Sequence, residues 1–549
     1  MTPGVFVSSW RQRCLALVLF TVLAVAHTWP LGAAPGRYSR HDNMDAQFNE
    51  WTMAWVAHQV VRDPVHLFDA PIFYPEPRTL AFSEHLFVQS VMALPLYWAG
   101  ASPVAAFNIL LLAGLALTGW MTTLVVHRWT GVWTAAITSG CLMAFNANTL
   151  TRLVHIQAQH LEFLPLVLLA LDQLLSQPRI RAALVLAGAF VLQALTSVYF
   201  LVFTAIATIA AVAVRPREWL RNNPAAFFRN AGLSAGCALL LLTPFLLPYY
   251  RASQEQEAFT RALPEVAMYS AHWPNYLAAA GTLHLQTIGW SRGFASADYL
   301  FPGVTALALT MVAVGSLTAV RDRRARMALG FGVVSFALSF GPAFPLYAFL
   351  YEAFPPLQAI RGAARFGQMA LAAIAILAGF GAAWLSRRLR RRTALVAGIV
   401  AIVAVNAEAW RAPIAYCGTP NAPCPAFTGL APIFATLNRA DVKAIVMFPF
   451  YSTTENIIYN ASYMLQSTQH FKPMLNGYSG YMPSSTAAHG RALGDFPSAA
   501  SIEYLKALGV THALVDSSNM SDAARAHIAM SPNLVQEVAD GNVVVFAIR

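Results

Sequence analysis

The stretch "HDNMDAQFNEWTMAWVAH" (residues 41–58) follows closely on the first apolar run of the chain and holds two carboxylate groups of interest, Asp42 and Asp45, with Asn49 and two tryptophans. Wound as a helix at about 100° per residue, Asp42, Asp45 and Asn49 fall on one side, and Phe48, Trp51 and Trp55 on another. A carboxylate held near a hydroxyl can take its proton as a general base. The competing reading is a plain surface helix, because Asp is common at helix N-termini. Trp favours the membrane–water interface, so this helix is expected along the outer leaflet, with its acids turned toward protein or water.

Polar groups recur at other outer-side ends of the apolar runs: Glu84 and His85; Arg152, His155, Gln157, Gln159, His160 and Glu162; Arg251 and Arg261; Arg361 and Arg365. Outer arginines run against the charge bias of the rest of the chain. For Arg361 and Arg365, in "AIRGAARFGQ", the simplest reason is an anionic ligand, since guanidinium grips phosphate as a two-pronged fork. The alternative is an ion pair with a loop carboxylate such as Glu352. His155 and His160 lie five apart rather than at the i, i+4 spacing of a helical metal pair, so hydrogen bonding to a polar ligand or to loop backbone is the better expectation.

The elements that must position these groups are membrane helices. Of 549 residues 57% are hydrophobic and 11% charged, and the mean hydropathy is +0.51, the composition of a polytopic membrane protein. The net charge of +11 does not form a nucleic-acid surface, because it sits in short arginine clusters between apolar runs, which mark the cytoplasmic side. Placing every cluster inside gives eleven helices, near 14–32, 104–126, 132–147, 161–177, 182–197, 198–214, 230–250, 300–320, 327–342, 366–386 and 393–410. The N-terminus is then cytoplasmic and the C-terminal region outside. The run 86–99 is short, contains Pro95 and would invert every later cluster, so a re-entrant or interfacial helix is expected there. The first run also has the flanks of a cleavable signal peptide, a second reading that would remove the anchor beside the acidic stretch.

The domain reading is therefore a membrane domain over 1–410, with long outer loops at 33–103 and 251–299, and an extracytoplasmic α/β domain over 411–549. In the latter, "AIVMFPF" and "VTHALVD" read as strands, "SIEYLKALG" as a helix closed by Gly509, and "QEVADGNVVVFAI" as two strands about an Asp540–Gly541 turn. Cys417 and Cys424 lie just past the last helix, on the side where oxidation is possible, and are expected to form a short-range disulfide. Cys14, Cys141 and Cys237 fall within helices as apolar residues.

An acidic residue just after the first helix, a long outer first loop and an outer C-terminal domain resemble the GT-C superfamily of membrane glycosyltransferases. More narrowly, "FDAPIFYPEPRTLAFSEHLF", "LPLVLLALDQLL", "IRGAARF" and "FKPMLNGYSGYMPSS" look like a bacterial group related to the GT-C and YfhO-like membrane proteins. The resemblance implies sugar transfer from a polyprenyl-phosphate donor to a glycan, lipid or protein acceptor at the outer face of a bacterial cytoplasmic membrane. The first-loop acid of such enzymes acts as base or helps bind metal. By position that role falls to Asp42, and less securely to Asp45; "HDNMD" is no adjacent acidic pair or DxD, which leaves use of Mg²⁺ or Mn²⁺ open. The competing functional classes are a transporter or flippase of lipid-linked sugars and an assembly protein whose outer domain binds envelope partners. Polar groups gathered at one face, rather than strung through the bilayer, favour chemistry over transport.

Overall fold

A computed structural model of the protein describes residues 9–256, 259–294, 298–418, 424, 431–518 and 520–549. Most of the Pro-rich linker beyond Cys417 thus lies outside the described residues. The chain forms two compact units, each discontinuous in sequence. The first comprises Met1–Pro35, Asn108–Pro244 and Thr260–Ala415; the second comprises Gly36–Phe107, Phe245–Phe259 and Tyr416–Arg549.

Each of the eleven apolar stretches carries a helix, and among the described residues four helices are long and apolar enough to cross a membrane: Pro103–Thr130, Pro224–Glu255, Ala363–Ser386 and Arg391–Ala409. The 86–99 run forms a separate helix, Phe87–Trp98, with Pro95 inside it. Local chemistry sets the breaks. Ser197 is extended (φ −166°, ψ 137°), ends helix Ile180–Thr196, and caps helix Val198–Ala213 by accepting the Tyr199 amide. Asp322 caps helix Arg323–Ser339 through the Arg324 and Ala325 amides. Within the first unit, helix Phe366–Ser386 is sheathed on most sides by Val304–Gly315, Arg323–Ser339 and Trp133–Ala144. Small residues permit that approach: a Cβ at Gly381 would collide with the Leu309 carbonyl oxygen, and one at Gly379 would lie 2.9 Å from the Ser139 Cβ. Helix Arg391–Ala409 is the opposite case, apolar yet only 17% buried over its most apolar window, as suits a lipid-facing helix.

The second unit is built on a four-stranded sheet in the order β1-β2-β4-β3: β1 Ile445–Phe448, β2 His512–Asp516, β3 Leu534–Asp540 and β4 Val543–Ile548. β1 and β2 are parallel, which requires a crossover; helix Ala499–Ala507 lies on it and ends at Gly509, whose φ of +77° suits glycine. β4 runs antiparallel to both β2 and β3. Period-two alternation sends Val446, Phe448, Ala513, Val515 and Phe546 to one face, where Ile502 and Leu505 of that helix cover them.

Ile445, Met447, Leu514 and Val545 point to the other face, where Phe48, Trp51 and Trp55 join them in one core. Helix Met44–Arg62 therefore packs with the C-terminal region. Its tryptophans do not sit at a lipid interface: Trp51 is 1% and Trp55 6% exposed, and their indole N–H groups donate to Ser467 Oγ (3.2 Å) and the Leu67 carbonyl (3.0 Å). The apolar stripe read from the sequence is real, but helix Asn460–Ser467 and the sheet provide its partner rather than the bilayer. The long first loop, 33–103 in the sequence reading, folds almost entirely into this second unit.

Candidate functional site

In the first unit the segment leading into helix Phe366–Ser386 places Arg361 and Arg365 one turn apart, around the short 3₁₀ turn Ala363–Arg365. Both are half-buried. The Arg361 guanidinium lies 4.6 Å from the Tyr269 ring centroid and that of Arg365 4.3 Å from Tyr199. Tyr199 is fixed at the start of its helix by the Ser197 cap, and its hydroxyl accepts the Gly362 amide at 3.4 Å. Among the described residues neither arginine makes an ion pair with a carboxylate, so the pairing with Glu352 is not formed. A guanidinium that lies over a ring and has no carboxylate partner keeps N–H donors for another acceptor.

His155 shares their field. Burial, then the charges of Arg365, Arg152 and Arg361, hold its imidazole well below the ordinary histidine value, so the ring is neutral at pH 7. Arg152 differs from the other two in having a counter-ion, Asp298. The loop between helices Ala147–Thr151 and Phe163–Ser176 thus contributes Arg152 and His155 to the surroundings of arginines from much later in the chain. Gln157, on the same loop, has a buried side-chain carbonyl oxygen with no hydrogen-bond partner among the described residues. His160 is placed differently. It is fully buried, with Nδ1 2.8 Å from Glu162 and Nε2 3.1 Å from the Leu110 carbonyl, and both nitrogens are consumed in holding helices together.

The acidic stretch belongs to the second unit. Asn43 is the N-cap of helix Met44–Arg62, its side chain accepting the Asp45 amide at 2.9 Å. Asp42 precedes the helix, with its side chain 59% exposed and held in a two-pronged pair with Arg40 (2.9 Å for each bond). Asp45 is half-buried and accepts the Tyr478 hydroxyl at 2.7 Å. Asn49 and Glu84 are buried, at 4% and 8% exposure. His85 is closed in by the rings of Phe68, Phe87, Phe245 and Tyr249; its Nδ1 accepts the Phe87 amide, and burial lowers its pKa to about 4. The ring therefore packs among aromatic neighbours.

Cys417 and Cys424 are joined in a disulfide. Among the described residues they form, with His41, a group of three potential metal ligands whose atoms lie within 4.8 Å of one another. One imidazole and two sulfurs already bonded to each other do not suit Mg²⁺ or Mn²⁺, which take oxygen ligands. His41 instead bonds Glu50 at 2.7 Å, and Glu50 accepts the Ser39 hydroxyl at 3.0 Å, closing a buried network.

Sequence reasoning missed Tyr199, Tyr269, Asp298 and Tyr478. Tyr199 had a local signal, the Ser197 break between two apolar runs, and Tyr478 lies within the quoted stretch "FKPMLNGYSGYMPSS".

No protein-family model matches the chain, and no curated protein matches it. Solved structures do. The arabinofuranosyltransferase AftD from Mycobacteria superposes with a TM-score of 0.60 at 15% identity, covering 99% of this chain and 40% of AftD. This chain therefore spans about two fifths of AftD's length. A weaker likeness, TM-score 0.47 at 13% identity and covering 98% of each chain, is to ArnT from Cupriavidus metallidurans bound to undecaprenyl phosphate. The superposition on AftD is a statement about architecture, and by it the chain has the GT-C glycosyltransferase fold.

Proposed function

We propose that the protein is an integral-membrane glycosyltransferase of the bacterial cytoplasmic membrane. It transfers a sugar from a polyprenyl-phosphate donor to an envelope acceptor at the outer face. The observation that carries this reading is the pair of half-buried guanidiniums, Arg361 and Arg365, that stack on tyrosines and lack a carboxylate. Buried cations are normally paired. A phosphate is the ligand whose oxygens match two free guanidinium edges and a neutral imidazole.

In the reaction the acceptor oxygen forms the new bond to the sugar's anomeric carbon as its proton passes to a carboxylate. The bond from that carbon to the donor phosphate oxygen breaks, its electron pair leaves with the lipid phosphate, and the arginines answer the growing charge. For the base we favour Asp45, which the Tyr478 hydroxyl orients, over Asp42, which is exposed and already neutralised by Arg40.

The test uses the purified protein with a polyprenyl-phosphate sugar and a panel of envelope acceptors. Asp45→Asn is expected to lower kcat by about 10²-fold or more, the usual contribution of a positioned base, while Asp42→Asn stays within about threefold. Equal rates in wild type and Asp45→Asn would remove Asp45 from the chemistry. Passage of lipid-linked sugar across vesicles without a glycosidic bond would replace the transferase by a flippase.

A further inference from the structure

Within the second unit a cavity of about 510 Å³ opens away from the tyrosine-held Asp45, on another face of helix Met44–Arg62. Its size is that of a small-molecule site. One wall is the C-terminal half of that helix: Ala54, Ala57 and Val61 keep it apolar and shallow, while His58 and Arg62 bring polar groups to it. The facing wall is the end of helix Phe87–Trp98, with Tyr97 and Trp98 one residue apart. Thr468, Gln469 and Phe471 close a third side.

Three features of this cavity point to a ligand. The first is an aromatic ring held at a cost. Phe471 has a φ of +47°, a region that a residue with a large side chain rarely enters, and its ring lies 4.4 Å from His58 and 5.6 Å from Trp55 between centroids. The second is a large aromatic left open, because Trp98 is 72% exposed. The third is charge. Arg62 is exposed and, among the described residues, has no carboxylate partner. Burial and the neighbouring Arg62 lower the His58 pKa, so the ring beside the guanidinium is neutral and adds hydrogen-bonding capacity without repelling an anion.

Flat aromatic faces take the C–H face of a sugar ring, and a free guanidinium takes a carboxylate in a two-pronged bond. We infer that this cavity is a saccharide subsite that holds a uronic acid unit, with Trp98 and Phe471 as its platforms and Arg62 on its carboxylate. Calling that saccharide part of the acceptor rests on the transferase reading; its recognition by these residues does not.

The experiment is a calorimetric titration of the full chain, in nanodiscs of zwitterionic phosphatidylcholine, with a glucuronic acid-containing disaccharide and with its neutral glucose counterpart. The acidic sugar is expected to bind at least about tenfold tighter than the neutral one, as loss of one charged hydrogen-bonded contact implies. Arg62→Ala should erase that preference, and Trp98→Ala should weaken both sugars by a similar factor; both side chains are exposed, so the variants fold. Equal affinity for the two sugars, or an acidic-sugar affinity unchanged in both variants, would overturn the subsite. So would loss of binding in nanodiscs of anionic phosphatidylglycerol, which would make the cavity a lipid headgroup site. An Arg361→Ala, Arg365→Ala protein should bind the disaccharide as wild type does. If wild type binds it yet never forms a glycosidic bond, the transferase reading falls and the subsite stands.

Discussion

Two arginine-rich regions of the first unit solve the problem of buried positive charge in opposite ways. Around Asp172, Arg215 (1% exposed) donates to the carboxylate at 2.8 Å and pairs with Glu218, while Arg324 reaches the same carboxylate at 2.8 Å. Arg215 also touches the Met327 sulfur, and Arg324 the Trp129 carbonyl. There the guanidiniums knot helix ends together and their charge is answered from within the chain. Around Arg361 and Arg365 the guanidiniums meet tyrosine rings, and neither has a carboxylate partner among the described residues, whereas Arg152 pairs with Asp298. On the function proposed above, the contrast separates arginines that hold the fold from arginines kept ready for a phosphate. The same residue type is used for both, and only the partners tell them apart.

That contrast breaks if the first region proves dispensable. Arg215→Ala leaves Asp172 and Glu218 short of a partner and is expected to cost about 3–5 kcal/mol, the range for breaking a buried pair; thermal unfolding in detergent reads it. A loss below about 1 kcal/mol would show that the region is not structural. At the second region the expectation reverses. Converting Arg361 and Arg365 together to lysine keeps the charge but removes the fork. Lipid-phosphate affinity should then fall by about tenfold while the unfolding midpoint stays put. A large drop in the midpoint would place these arginines with the first group.

The smallest effect is a pH dependence. His155 is neutral in the free protein because burial and three guanidiniums lower its pKa. An anion bound among those guanidiniums offsets their charge and raises that pKa, so binding takes up a fraction of a proton. Affinity should therefore rise by about two- to fivefold as pH falls from about 7.5 to 5.5, and the slope should vanish in His155→Gln. A slope of the opposite sign would mean that the anion lies elsewhere.

Part of this was open to reading in the amino-acid sequence. Arg361 and Arg365 stood out because outer arginines defy the charge bias of the loops, a rule that acts residue by residue. The nearness of Cys417 and Cys424 in the chain pointed to their bond, and short apolar runs located β1 and β2, which are buried almost throughout. Partners were the blind spot. The 3.6-residue period showed that Phe48, Trp51 and Trp55 share a face, but periodicity says only that a face is buried and never against what. The tyrosines under the arginines, and Asp298 in a long loop, meet their partners through tertiary folding at no fixed spacing. Asp42 and Asp45 look equivalent in "HDNMD", and only the flanking Arg40 and the remote Tyr478 distinguish them.

The core that Trp51 and Trp55 share with Ile445, Met447 and Leu514 has a consequence for the order of events at the ribosome. Residues 44–62 are translated well before the surface that shelters them, which follows nearly 400 residues later by the numbering of the strands. Until then, two indoles must wait exposed or under the care of a chaperone. A nascent chain stopped before β1 would own the segment with Asp45 but not the strands and the Tyr478 hydroxyl that hold it, so this core can close only after β1 and β2 have been made.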